Sequence, residues 1–311
     1  MLEFLLNPYL LTIPIYACIA SINALGLNII MGYAGQINLG FTVMVGGGAY
    51  TAAMLTVYAG FSFWAALPLA ILGGTLFGLI MSLPALRVGE DFLAIVTIGT
   101  VFIFESLLTY LPWFGGPEGI GGIPYPGALG YEFGYKSIFL LVFGFLILTI
   151  IVNKKLVSSW IGLAWESLRE DELAARVMTI NAVKFKILAF VIGGAYGGLG
   201  GALYAHFTTF ISPIDFAFIP SVFILVMVVF GGIGTIRGPV VGASILAAMP
   251  EIFRFISDYR FLLYGGLLVF MMLVMPDGLL GDNSIIWRRL RGLRGNVRSG
   301  EVAAAHLEQG R

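Results

Sequence analysis

Ten charged side chains crowd into residues 153–186: Lys154, Lys155, Glu166, Arg169, Glu170, Asp171, Glu172, Arg176, Lys184 and Lys186. Long apolar segments flank this run on both sides. Side chains of these types at these spacings offer ion pairing, helix capping and a polar surface for a partner. Ser167-Leu168-Arg169-Glu170 has capping-box spacing, which predicts a helix start near Ser167. Glu172 and Arg176 stand four apart, in the favourable order for an ion pair on a helix surface. Leu173/Val177 and Ala174/Met178 form a neighbouring apolar stripe, and Ala175 keeps that surface low. The expected product is a short amphipathic helix. Either it offers its stripe to a partner's cleft, with Glu170, Asp171 and Glu172 meeting basic groups around it, or it packs as a lid on the bundle's own face.

Other chemistry is sparse. Glu105 is the one clear carboxylate inside an apolar segment, about two thirds of the way across it at roughly 1.5 Å per residue. An ionisable group at the bilayer centre costs about 2.5–3.5 kcal/mol and marks function. Glu105 therefore reads either as a substrate-path or coupling residue, or as an interfacial group near the end of its helix. His206 and His306 are far apart and have no cysteine cluster beside them, so no metal site is expected. No G-x-x-x-x-G-K-[ST] phosphate loop occurs, and no nucleophile–base pairing can be drawn from spacing. Neither a cofactor nor catalysis by this chain is expected. Cys18, the single cysteine, cannot form an intrachain disulfide.

The elements that must position these groups are membrane helices. Apolar residues make up 59% of the 311 residues and charged ones 11%, with a mean hydropathy of +0.96. A soluble chain carries roughly 25% charged residues, so too few are present to coat a water-facing surface. Zero formal net charge gives no support for a nucleic-acid partner. The predicted fold is an all-α polytopic bundle of about eight to ten transmembrane helices, some short or broken. Nine candidate spans cover 8–31, 41–57, 63–86, 92–111, 137–152, 185–210, 216–230, 239–255 and 261–275. Residues 1–31 lack the basic region and cleavage site of a signal peptide, and are read as mature protein.

Six Lys/Arg residues in 153–186, together with Arg87 and the arginines of the tail, mark the cytoplasmic side, whereas the loop 112–136 has only Lys136. Nine spans then put the amino terminus outside and the carboxyl terminus inside; Arg254 and Arg260 fall on the outer side and run mildly against this. Residues 1–281 are expected to be the membrane domain, with 153–186 as its cytoplasmic loop. Residues 282–311 are expected to be a basic tail, acting as an inside-positive anchor or as a contact for anionic lipid, with 303–311 disordered.

Glycine is abundant, at 42 residues. The joints 32–40 and 231–238 are expected within membrane depth, where irregular backbone is tolerated only if protein or a watery cavity satisfies it. Gly32, Tyr33, Gly35, Gln36 and Asn38, with Glu105, are thus candidates for a translocation path. Gly193/Gly197/Gly201 and Gly194/Gly198 form overlapping G-x-x-x-G registers. They predict tight packing within the bundle, or against a second subunit. The chain shows only faint similarity between 47–50 and 200–204, which does not support an inverted repeat.

Taken in order, several segments resemble the permease subunits of branched-chain amino acid ABC importers, of the LivM type. They are Gly32-Tyr33-Ala34-Gly35-Gln36-Ile37-Asn38-Leu39-Gly40, Asp91-Phe92-Leu93-Ala94-Ile95-Val96-Thr97, Arg169-Glu170-Asp171-Glu172-Leu173-Ala174-Ala175-Arg176, Gly231-Gly232-Ile233-Gly234-Thr235 and Pro276-Asp277-Gly278-Leu279-Leu280-Gly281. The resemblance implies a coupling helix near residues 170–179 that transmits ATPase closure, with Arg169, Glu170, Asp171, Glu172, Ala174, Ala175 and Arg176 at the coupling site. It implies ABC ATPase subunits, a second homologous permease and a periplasmic or extracellular binding protein as partners, besides membrane lipid. The location implied is the bacterial or archaeal cytoplasmic membrane. Thr179 stands where that family's loop often has glycine, and Phe102 and Glu105 stand where it has Glu and Arg. Import of urea, amides or aromatic acids remains open beside amino acids, as does an autonomous carrier or channel for a small neutral solute.

Overall fold

A computed structural model describes residues 8–128, 131–252, 265–266, 269 and 278–280. The described residues are overwhelmingly helical: α1 (Pro8–Asn28), a π-helical turn (Ile29–Tyr33), α2 (Thr42–Val57), α3 (Phe63–Ala85), α4 (Glu90–Tyr110), α5 (Tyr135–Val157), α6 (Trp160–Glu170), α7 (Glu172–Val177), α8 (Ala182–Thr208), α9 (Phe218–Gly231) and α10 (Arg237–Ile252). Two-residue strands pair antiparallel, β1 (Ile120–Gly121) with β4 (Phe210–Ile211) and β2 (Gly127–Ala128) with β3 (Tyr131–Glu132). The protein is an all-α polytopic membrane protein.

Six described segments are long and apolar enough to cross a bilayer: Leu11–Tyr33, Phe63–Ala85, Phe92–Tyr110, Tyr135–Val157, Ala182–Thr208 and Pro213–Gly231. Thr42–Val57 and Arg237–Met249 are shorter apolar helices. These eight fall on the first eight predicted spans. The ninth lies largely outside the described residues, as do Arg254, Arg260 and the tail. α5 runs five residues past its predicted end because Lys154 and Lys155 continue the helix in its last turn, where the macrodipole favours cations.

α8 is the hub, with α1, α2 and α3 packed around it. Glycine supplies the contact: a Cβ on Gly198 would stand 2.6 Å from the Ala70 carbonyl and 3.0 Å from the Ile71 Cα, both on α3. Gly194 lies against Gly74 and Gly78, and Gly197 and Gly201 lie against α2 at Met44 and Val45. Both glycine registers are therefore spent inside this bundle. In lipid no hydrophobic force presses helices together, so backbone approach and its dispersion energy must hold them. Exposed Leu72, Leu76 and Leu83 on α3, Ile95 and Ile103 on α4, and Leu140 and Leu148 on α5 form the apolar outer wall.

At the end opposite α6 and α7, the loop after α4 folds down onto α8. The Ile123 amide donates to the Thr209 carbonyl at 3.1 Å, buried His206 bonds the Pro124 carbonyl through Nδ1 at 2.8 Å, and Trp64 Nε1 donates to the Gly127 carbonyl at 3.0 Å.

Gly198→Val places carbon where α3 backbone stands and is expected to destabilise the bundle by about 2–3 kcal/mol. Gly144→Ala, on the open face of α5, is expected to cause no loss, and at most a gain of about 0.5–1 kcal/mol from the better helix former. Thermal unfolding of the two variants in detergent checks the contrast.

Candidate coupling site

The polar run between α5 and α8 folds into two helices. Ser159, in extended conformation, caps α6, its Oγ accepting the Ile161 amide at 3.2 Å. Ala164, Trp165 and Leu168 are buried, and Trp165 Nε1 donates to the Phe185 carbonyl of α8 at 2.9 Å. The start expected at Ser167 is overturned. Ser167 lies well inside α6 with its hydroxyl donating to the Leu163 carbonyl at 2.9 Å, because the buried stripe through Trp165 and Leu168 carries the helix past it.

The break falls two residues after Arg169. Asp171 takes φ −156° and ψ 108°, ending α6, and its Oδ1 accepts the amides of Leu173 at 2.8 Å and Ala174 at 3.0 Å to cap α7. Glu172 then faces two cations, with Oε1 2.7 Å from Arg176 Nη2 and Oε2 2.7 Å from Lys186 Nζ. Lys186 is 8% exposed, so the second pair fixes α7 to the first turns of α8 and answers a cation that burial would otherwise penalise. Burial pushes the Glu172 carboxyl up, but hydrogen bonds from Lys186 and Arg176 outweigh it and hold the group below the usual carboxylate range. Ala175 is buried beneath α7, while Leu173, Val177 and Met178 stand 74%, 84% and 76% exposed. Thr179 closes the turn at φ +66°, a left-handed conformation that costs a residue bearing a Cβ about 1–2 kcal/mol.

Beneath α6 the two glycine joints meet. Asn28, fully buried at the end of α1, bridges them: its Oδ1 accepts the Gly234 amide at 2.9 Å and its Nδ2 donates to the Thr235 carbonyl at 2.8 Å. Gly32 is packed so closely that a Cβ there would overlap Asn28 Oδ1. Thr235 caps its own turn, with Oγ1 donating to the Gly232 carbonyl and accepting the Gly238 amide. The amides of Leu279 and Leu280 donate to the carbonyls of Phe230 and Gly231, both at 2.9 Å.

Arg169 reaches into this junction. Its Nη1 donates to the Gly32 carbonyl at 2.6 Å. Gly35, at φ +68°, passes under its stem. A Cβ on Gly234 would stand 2.7 Å from the same Nη1. A cavity of about 500 Å³ opens beside the contact, lined by Tyr33, Gly162, Glu166, Arg169, Thr235 and Arg237.

Residues 9–275 match the family described as the permease component of the branched-chain amino acid transport system. The chain belongs to this family. It is 36% identical over 281 residues to the high-affinity branched-chain amino acid transport system permease protein LivM of Salmonella typhimurium and to that of Escherichia coli, alignments covering 82% of this chain. They cover 66% of each relative's length, just under two thirds. The permease protein LivH of Escherichia coli is 32% identical over 125 residues, 40% of either chain. No solved structure matches the chain.

Within this chain the residues expected at the coupling segment separate. Glu170, Ala174 and Arg176 are exposed, Ala175 is buried, and Asp171 and Glu172 are engaged in capping and pairing. Arg169 is exposed too, but its Nη1 reaches the Gly32 carbonyl of the joint. Of the path candidates, Gln36 and Asn38 are buried and serve the joint's own backbone, Gln36 donating to the Ala34 carbonyl and Asn38 accepting the Gly40 amide at 2.8 Å. Gly32 and Tyr33 border the cavity. Glu105 sits half-buried on α4, away from that cavity, and its carboxylate has no partner among the described residues. Sequence reading missed Asn28, Trp165 and Thr235. Asn28 carried one usable signal, as a fully polar amide near the end of an apolar span.

Asn28→Ala strands the Gly234 amide and the Thr235 carbonyl and is expected to cost about 3 kcal/mol, read as a lowered thermal midpoint in detergent. The pairing of α7 with α8 depends on pH with a definite sign. Because the folded pKa of Glu172 is depressed, its contribution is complete above the ordinary glutamate value of about 4.3 and disappears as pH falls through the lower folded value. A thermal-midpoint titration of wild type against Glu172→Gln is expected to show that acid-side loss only in the wild type.

Proposed function

We propose that this chain is the membrane-embedded permease subunit of an ATP-driven importer of branched-chain or related amino acids. In this reading it pairs with a second, homologous permease, two ABC ATPase subunits and an external binding protein. It lies in the cytoplasmic membrane of a bacterium or archaeon, with residues 1–281 as membrane domain, 153–186 facing the cytoplasm and 282–311 as a basic tail beside anionic lipid. Solute would follow a path beside the glycine joints, with Glu105 a further candidate along it.

One observation carries the reading beyond family membership: the apolar ridge Leu173, Val177 and Met178 stands exposed on a helix that lies outside the apolar spans. Three large apolar side chains left in water are costly, at roughly 25 cal/mol per Å², and α7 is too short to hold itself. The Asp171 cap and the Glu172–Lys186 pair nonetheless keep it rigid and presented. That is the geometry of a helix inserted in a partner's groove, with exposed Glu170 at its rim. Asp171 and Glu172 hold the helix together, so the docking surface is the ridge rather than the whole acidic triplet.

The competing readings are a self-sufficient carrier, and import of urea, amides or aromatic acids. Val177→Asp is expected to lower recovery of the ATPase subunits with the permease at least tenfold, while the thermal midpoint of the isolated permease stays within a few degrees. Undiminished recovery would refute docking on this ridge. ATP-independent uptake of leucine by the purified chain in liposomes would instead favour the carrier. Ligand binding by the partner binding protein separates amino acids from the other solutes.

A further inference from the structure

The importer reading leaves open how movement of a helix outside the bundle reaches the broken helices within it. We infer that Arg169 is the positioning residue that carries it: a pin seated in the Gly32 carbonyl, locking α6 to both glycine joints so that the three move as one body. The inference rests on the importer reading and gives Arg169 a role other than contact with the ATPase.

Three observations converge on it. The first is the bond itself. The π-helical turn ends at Tyr33, and the chain beyond it folds back on earlier carbonyls, with the Ala34 amide on Ile29 and the Gln36 amide on Ile30. The Gly32 carbonyl is thus left at a helix terminus, where a guanidinium is the preferred donor. Nη1 fills that place at 2.6 Å, a charge-assisted bond across 137 residues of sequence.

The second is packing. A Cβ on Gly35 would stand 3.1 Å from the Arg169 stem and one on Gly234 2.7 Å from its head, so both joints lie in close contact with this one side chain. The third is linkage between the joints. Asn28 holds Gly234 and Thr235 by two hydrogen bonds, so a pull on Gly32 is shared by the joint 231–238 and by the start of α10. At this same end α6 joins α7 across the single residue Asp171, and from its middle Trp165 ties it to α8. A displacement of α7 therefore has a continuous, polar-bonded route to both joints. Apolar contact alone would let α6 slide.

The test uses the assembled transporter in liposomes with its binding protein. Arg169→Met keeps the stem and removes the donor; Arg169→Lys keeps a donor. We expect Arg169→Met to assemble with the ATPase subunits but to lower solute imported per ATP hydrolysed at least tenfold, with Arg169→Lys recovering to within about threefold of wild type. An unchanged import-to-hydrolysis ratio in Arg169→Met would overturn the proposal, and so would loss of the ATPase subunits, which would make Arg169 a docking residue. Should the Arg169→Met permease itself fail to fold, spin labels at Glu166→Cys and Ile233→Cys in a Cys18→Ser background decide instead. The distance between them is expected to stay fixed between nucleotide-free and ATP-trapped states. A change in that distance means that α6 and the joint move separately, and the pin is wrong. If wild type itself neither assembles nor couples, the importer reading fails, an outcome distinct from failure of the pin.

Discussion

Inside a bilayer an unpaired peptide group costs several kcal/mol, and a helix that breaks at membrane depth creates several at once. This chain breaks two helices, at 29–40 and at 231–236, and the Asn28 side-chain amide resolves much of the resulting deficit. An amide carries a donor and an acceptor on the same plane, so it can replace the peptide partner that a broken helix loses. By bonding Gly234 and Thr235 from the end of α1, it satisfies one donor and one acceptor of the second break beside the first. Remove that clamp and the cavity, the seat for Arg169 and the start of α10 lose their common reference point.

The glycines around the clamp follow from the same requirement. The two stretches lie backbone to backbone at Gly32 and Gly234, while Gly35 lets the chain pass against Arg169. On α8 glycine serves a different purpose, bringing regular helices close enough for dispersion to hold them where lipid exerts no pressure. The result is a firm hub of α1, α2, α3 and α8, beside a junction whose strength is concentrated in a few polar bonds.

The α6–α7 pair illustrates how like-charged neighbours take unlike roles. Glu170, Asp171 and Glu172 are consecutive carboxylates, yet one is exposed, one caps a helix and one binds a buried lysine. Arg169 and Arg176, seven residues apart, are both exposed yet take different partners, the first the Gly32 carbonyl and the second Glu172. Asp171 produces this separation by ending one helix and starting the next in a single extended residue, which reorients everything after it.

Hydropathy and length alone determined the membrane-spanning class, the all-helical fold and the first eight segments, because a hydrocarbon layer about 30 Å thick imposes both composition and span length on any chain that crosses it. The family was legible too, in ordered short segments such as 32–40 and 169–176. The glycine joints could be placed as irregular, and the apolar ridge on α7 could be read from its spacing. What no local pattern held was partnership across the chain: that Asn28 meets Gly234 and Thr235, that Arg169 reaches Gly32, and that Glu172 meets Lys186. The misplaced helix start at Ser167 has the same origin, since a capping pattern describes four residues while Trp165 and Leu168 are buried against α8. Local sequence sets which conformations are cheap, and only the packed bundle decides which polar group is left needing a partner and which side chain is near enough to serve.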